Sequence, residues 1–189
     1  MKIIQLVICG ALLALCRCAT ETPLPDGNGA YAIDKGYEYK LGPGDKVRLT
    51  VFGEEQLSGE FLVGNDGSVA VPLVGEVRAG GLSPVAFQNA VEAKLTETGM
   101  VKAPRVSADV VSYRPFYILG EVNKPGQYPY VIGMTLTKAV ATAGGFTYRA
   151  NGQTVYVTRE GQTRETPLSM TAATWIGPGD TVRVGERMF

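Results

Sequence analysis

Leu41-Gly42-Pro43-Gly44-Asp45-Lys46-Val47-Arg48-Leu49 sets the reading of this chain, because nearly the same nine residues return at Ile176-Gly177-Pro178-Gly179-Asp180-Thr181-Val182-Arg183-Val184. Six of the nine positions are identical, and two of the other three exchange one aliphatic residue for another. In each copy a Gly-Pro-Gly turn is followed by Asp and then by alternating Val and Arg. Pro presets the backbone for a tight turn and Gly accepts its left-handed position. Alternation at period two then predicts a half-buried strand. The stretches between the copies do not match each other, so the chain is not a tandem repeat. One turn-to-strand solution opens the folded body and is used again at its last strand.

Working outward from the first copy, Val47, Leu49 and Val51 alternate with Lys46, Arg48 and Thr50. Asn65-Asp66-Gly67 predicts a hairpin turn between strands at 60–63 and 68–74. Ser83 and Pro84 mark the start of a helix and Gly99 its end, with Val85, Ala86, Ala90, Val91 and Leu95 as its apolar stripe. Val106, Ala108 and Val110 predict another strand. Residues 38–113 thus read as a β-β-β-α-β-like unit. In the second unit, 116–122 reads as a strand, Lys124-Pro125-Gly126-Gln127 as a turn and 128–131 as the returning strand. A short helix over 136–143 stops at Gly144-Gly145, and strands follow at 154–159, 163–168 and 180–184. That order is a β-grasp module. The fold class is therefore α+β, with two small mixed domains.

Composition narrows the function. The chain has 189 residues, 45% of them hydrophobic and 19% charged, with no net formal charge. This is globular and carries no basic nucleic-acid footprint. There is no His, which removes the commonest general base and the usual zinc ligand together. Glu54-Glu55 is the sole adjacent acid pair, and neighbours on a strand or turn point in different directions. Gly42-x-Gly44 leads into a strand and not into a phosphate-cradling helix. We expect no catalytic residues, metal or cofactor.

The N-terminus reads as an export signal. Lys2 precedes an apolar run over 3–15, shorter than the roughly 20 residues of a membrane span. All three cysteines, Cys9, Cys16 and Cys18, lie in this segment. Cys16, with Leu13 and Ala14 before it, is the preferred lipidation site and Cys18 the alternative. Cleavage without lipidation and a buried N-terminal helix are the competing readings. Residues 1–18 are assigned to the signal, 19–37 to a flexible tether, 38–113 to the first domain and 114–189 to the second.

The run YKLGPGDKVRLTVFGEEQLSGEFLVGNDGSVAVPLVGEV (residues 39–77) resembles the opening of the outer-membrane polysaccharide export family. The shared phrases are the GPGD turn, the Asp66-Gly67 turn and the apolar Pro72-to-Gly75 stretch. ILGEVNKPGQYPYVIGMTLTKAVATAGGFT (residues 118–147) resembles the soluble-ligand-binding β-grasp domain that follows in that family. The resemblance implies a polysaccharide export domain at 38–113 and the β-grasp domain at 114–189. It further implies a non-enzymatic ring homo-oligomer that conducts capsular or extracellular polysaccharide. It places the protein at the periplasmic face of the outer membrane, held by a lipid anchor. Its implied partners are an inner-membrane chain-length co-polymerase and, because the chain stops after its last strand with no spanning helix, a separate outer-membrane protein. A monomeric periplasmic glycan- or small-ligand-binding module is the alternative, and a glycan hydrolase or lyase a third reading.

Nine residues are candidates for lining the conduit or joining protomers. Gly42, Pro43, Gly44 and Asp45 either shape a subunit contact or form a turn in which Asp45 caps its own backbone. Pro72 and Gly75 either face the lumen or pack. Tyr113, Arg114 and Tyr117, with Phe116, either meet sugar or a neighbouring protomer or fill an interdomain core. Glu54, Glu55, Arg149 and Arg159 read as solvated tips.

Overall fold

The computed structural model describes residues 39–171 and 174–187. The expected export signal with Cys16 and Cys18, and the expected tether, lie outside the described residues. The fold is α+β and contains two hydrophobic clusters, one before and one after Tyr113-Arg114-Pro115.

In the first half, β1 (Lys46–Val51) is the centre of a three-stranded antiparallel sheet, between β2 (Gly59–Leu62) and β5 (Val106–Ser112). Its period-two pattern buries Val47, Leu49 and Val51 and exposes Lys46, Arg48 and Thr50. A short 3-10 turn, Glu55–Leu57, links β1 to β2. β3 (Ser68–Val71) and β4 (Gly75–Arg78) form a separate hairpin. α1 (Pro84–Glu97) packs against β4 and β5. Ser83 caps it by accepting from the Ala86 N–H at 3.2 Å, and Gly99 follows its end at φ +67°. Fully burying Phe87, Val91 and Leu95 on one helix stripe contributes about 1.5–3 kcal/mol per side chain.

Three expectations need correction here. Val85 is 63% exposed and Phe87 takes its place in the core. Stepping by four from Leu95 through Val91 reaches Phe87, whereas Val85 falls on the opposite side of the first turn. The Asn65-Asp66-Gly67 turn does form, and Asp66 Oδ1 accepts from the Ser68 N–H at 3.1 Å. It does not close a two-strand ladder, because β2 pairs with β1 and β3 pairs with β4. The ladder that forms instead turns at Pro72-Leu73-Val74, where the Val74 N–H donates to the Val71 carbonyl at 3.2 Å. The unit is therefore β-β-β-β-α-β.

In the second half, β6 (Phe116–Gly120) and β10 (Thr181–Glu186) pair in parallel at the centre of a five-stranded sheet. The sheet order is β7-β6-β10-β8-β9, with β7 Gly126–Tyr128, β8 Ala150–Thr158 and β9 Glu165–Ser169. α2 (Leu136–Thr142) is capped by Thr135 and ends at Gly144 and Gly145, both with positive φ. It buries Leu136, Ala139 and Val140 in the cluster that holds Phe116, Ile118, Val155, Val157, Val182 and Val184. The return strand begins at Gly126, inside the expected turn, and ends at Tyr128; Val131 and Ile132 are exposed loop residues. Among the described residues no helix is long and apolar enough to cross a membrane.

Gly120 has φ +87°, and a Cβ there would lie 2.0 Å from the Val184 carbonyl oxygen on β10. Gly120→Ala is expected to lose at least about 2 kcal/mol in chemical denaturation, because neither the left-handed backbone nor the contact can be relieved within the parallel pair. Leu73, 68% exposed, has φ +63° at the hairpin tip. Leu73→Gly should gain up to about 1 kcal/mol in the same measurement.

Candidate functional site: the paired GPGD turns

The two GPGD turns have the same geometry. Pro takes the second position and Gly the third, with Gly44 at φ +91° and Gly179 at φ +81°, the backbone of a type II turn. The Asp45 N–H donates to the Gly42 carbonyl at 3.1 Å, and the Asp180 N–H to the Gly177 carbonyl at 3.3 Å. Each carboxylate reaches back across its turn. Gly42 N–H donates to Asp45 Oδ2 at 2.7 Å, and Gly177 N–H to Asp180 Oδ2 at 2.7 Å. Asp45 therefore does cap its own backbone.

Both aspartates are fully buried. A buried carboxylate needs a counter-charge and hydrogen bonds, and each has the same set. Arg114 Nη1 donates to Asp45 Oδ2 at 2.9 Å, and Arg159 Nη1 to Asp180 Oδ2 at 2.6 Å. Each also accepts one further backbone N–H: Arg114 N–H to Asp45 Oδ1 at 2.9 Å and Glu160 N–H to Asp180 Oδ1 at 3.2 Å. Arg159 is thus no solvated tip, since its side chain is 13% exposed. Arg149 and Glu54 remain on the surface.

The two sites are wired together. Arg114 uses Nη1 on Asp45 and donates through Nε to Glu160 Oε2 at 2.6 Å, with Nη2 paired to the same oxygen. Glu160 in turn gives its backbone N–H to Asp180. The chain of contacts runs Asp45, Arg114, Glu160, Asp180, Arg159 and so joins the first half of the molecule to the second. Arg can do this because its guanidinium is a rigid fork of five donors, which Lys lacks. Glycine gives it room. A Cβ on Gly42 would lie 2.7 Å from Arg114 Nη1, and one on Gly179 would lie 2.6 Å from Glu160 Cδ. Main-chain bonds reinforce the join: Gly179 N–H donates to the Pro115 carbonyl at 3.0 Å and Tyr117 N–H to the Asp180 carbonyl at 2.9 Å.

Aromatic rings cover one side. Tyr39 Oη donates to Asp45 Oδ2 at 2.5 Å and accepts from Arg114 Nη1 at 2.8 Å. Tyr39 meets Tyr113 edge to face at 4.8 Å, and Tyr113 meets Tyr130 edge to face at 5.8 Å. Burial, and then the Asp45 carboxylate, push the Tyr39 phenol well above its ordinary pKa; the same two causes raise Tyr113. Burial opposes the Arg114 charge, but Tyr39, Asp45 and Glu160 outweigh it and hold the guanidinium above its usual value. Burial pushes the Asp180 carboxyl up, against the pull of Arg159. These shifts favour a clamp whose phenol stays neutral and whose guanidinium stays charged.

Of the nine candidate residues, Gly42, Asp45, Tyr113 and Arg114 come together in this clamp, with Pro43 and Gly44 exposed on the turn. Pro72 and Gly75 lie exposed beside Leu73 at the hairpin tip, and Tyr117 is 43% exposed on the outer face of the second sheet. Glu160 was not foreseen from the sequence. Its signal was the Arg159-Glu160-Gly161 turn, which could have been matched to the second buried Asp. Among the described residues no group of three or more His, Cys, Asp or Glu could hold a metal ion.

Removing one partner of a buried pair strands the other charge. Asp45→Ala is expected to cost about 3–5 kcal/mol, read by urea denaturation. The double variant Asp45→Leu, Arg114→Met should recover a large part of that loss. Glu160→Gln should cost only about 1 kcal/mol or less, since Glu160 is 38% exposed.

Residues 34–111 match the model of the polysaccharide biosynthesis/export protein family, and residues 114–184 match the SLBB domain. The exopolysaccharide production protein ExoF of Rhizobium meliloti (strain 1021) is 33% identical over 133 residues, covering 65% of this chain and 32% of that protein. The polysialic acid transport protein KpsD of Escherichia coli is 25% identical over 160 residues, covering 79% of this chain and 28% of that protein. The chain therefore spans about a third of the length of the curated relatives it matches. The two matched models stand in sequence order on either side of the clamp, so the chain carries a polysaccharide biosynthesis/export domain at 34–111 followed by an SLBB domain at 114–184.

Proposed function

We propose that this protein is a non-enzymatic part of a machine that carries capsular or extracellular polysaccharide out of the cell, and that it acts as an oligomeric ring around the polymer. The observation that carries this reading is the ordered pair of matches, export domain then SLBB domain, across a junction locked by Arg114. A ring built from two-domain protomers closes only if every protomer holds the same interdomain angle, and a buried ion-pair clamp supplies that rigidity. Residues 38–113 are the export unit and 114–189 the β-grasp unit.

Its place is the periplasmic face of the outer membrane, anchored by lipid on Cys16 or, failing that, Cys18. Its partners are further copies of itself, an inner-membrane chain-length co-polymerase, a separate outer-membrane protein and the polysaccharide. Gly42, Asp45, Tyr113 and Arg114 serve the clamp. Pro72 and Gly75 at the exposed tip and Tyr117 on the outer sheet face are the positions offered to a neighbouring protomer or to the polymer.

Deletion of the gene should abolish secreted polysaccharide while polymer accumulates inside the envelope. Native mass spectrometry of the detergent-extracted full chain should show a closed multimer. Secretion that continues undiminished in the deletion strain would overturn the export reading. A strictly monomeric detergent extract, also monomeric after cross-linking in cells, would overturn the ring. Incubating the protein with purified polysaccharide should leave the polymer's size distribution unchanged.

A further inference from the structure

A second feature lies away from the clamp. Along β10 and β8, Val184 faces Val155, but Glu186 faces Ala150, where an unbroken antiparallel register would bring Gln153. β8 therefore carries three extra residues, and Asn151, Gly152 and Gln153 bow away from β10. A bulge of this kind redirects side chains, and such bulges are common beside binding sites. Here it opens a groove of about 460 Å³, lined by Asn151, Gly152, Gln153, Tyr156, Glu186 and Arg187. That volume is within the range of about 300–1,000 Å³ typical of small-ligand sites.

The groove is held in shape by its own bonds. Asn151 Oδ1 accepts from the Gln153 and Thr154 N–H groups at 3.0 and 3.3 Å, and the Met170 N–H donates to the Gln153 carbonyl at 2.8 Å. Arg187 Nη2 donates to the Tyr148 carbonyl at 2.7 Å, beside a Tyr148 ring that is 84% exposed. Arg149 pairs with Glu186. The Tyr156 ring is fixed by Arg183, which lies 4.3 Å over it and is gripped by Glu165 through two bonds. Gly185, opposite the bulge, has no side chain to cover the edge of that ring; a Cβ there would lie 3.4 Å from Tyr156 Cε2.

These walls have a definite chemistry. They hold an aromatic ring, two primary amides, a carboxylate and a guanidinium, and no large aliphatic side chain. Planar amides and charged groups match vicinal hydroxyls with paired donors and acceptors, and the Tyr156 ring adds an apolar wall against which the C–H face of a sugar can pack. A fatty ligand would find no apolar pocket. We infer that this groove is a saccharide subsite for a few pyranose units of a glycan chain. The inference rests on the export reading only for which glycan reaches the groove, either the exported polymer or the cell-wall glycan of the same compartment.

The test titrates isotope-labelled full-length protein with two probes. One is a hexasaccharide fraction released by partial acid hydrolysis from the polysaccharide the producing cells secrete; the other is chitohexaose, which mimics wall glycan. Amide shifts should centre on residues 150–156 and 185–187 with the first probe and be weak or absent with the second. Gly185→Val, which lays methyl groups against the Tyr156 ring, and Gln153→Ala should each weaken binding at least tenfold while the unfolding midpoint stays unchanged. Preference for chitohexaose at the same amides keeps the subsite and moves its source to the wall. No binding of either probe, or binding that survives both substitutions, overturns the subsite. Continued secretion in the deletion strain overturns the export reading instead, so the two failures are separable.

Discussion

The burial of two carboxylates behind Gly-Pro-Gly turns is the constraint on which the rest of the structure depends. A buried aspartate cannot remain charged without partners, and the turn supplies only one, the N–H of its first glycine. The rest must come from elsewhere in the fold. Asp45 takes Arg114 from the junction and Tyr39 from the start of the described chain. Asp180 takes Arg159 and the Glu160 amide. Because Arg114 also binds Glu160, satisfying the two turns and joining the two halves are one event.

This arrangement places its strength in geometry. An ion pair buried in this way gives little net stabilisation over a well-packed apolar contact, since desolvation offsets most of the attraction. What it does give is one allowed orientation. The guanidinium fork, the two glycines without Cβ atoms and the edge-to-face tyrosines leave few alternative ways for the halves to meet. In the ring proposed above, a small error in that angle would accumulate with every protomer. The exposed features, the Leu73 tip, the outer face around Tyr117 and the bulged groove at Asn151, are all carried on this rigid frame.

Much of the fold was legible along the chain. Val47, Leu49 and Val51 showed their strand by period two, and Ser83 with Gly99 bracketed their helix correctly. Local backbone chemistry decides such elements, so local sequence reveals them. The errors came where pairing at a distance decides. Asn65-Asp66-Gly67 reads as a hairpin turn and is a turn, yet the strands it joins go to different sheets because β1 and β4 offer better partners. Phe87 displaced Val85 because Phe87, Val91 and Leu95 follow at four-residue helical spacing and form the one stripe that the sheet covers.

The amino-acid order alone determined the two turns, the elements they launch and the family resemblance carried by short phrases in order. It also determined that His chemistry is absent. Only the tertiary structure decided that the two copies of GPGD are halves of one assembly. Asp45 and Arg114 are 69 residues apart and Arg114 and Glu160 are 46 apart. The Arg159-Glu160-Gly161 turn by itself reads as surface charge; only the fold sets Arg159 beside the buried Asp180 and leaves Glu160, 38% exposed, to bind Arg114. Asp180 needs its partner because it is desolvated, and desolvation exists only once distant parts of the chain have excluded water from the same place.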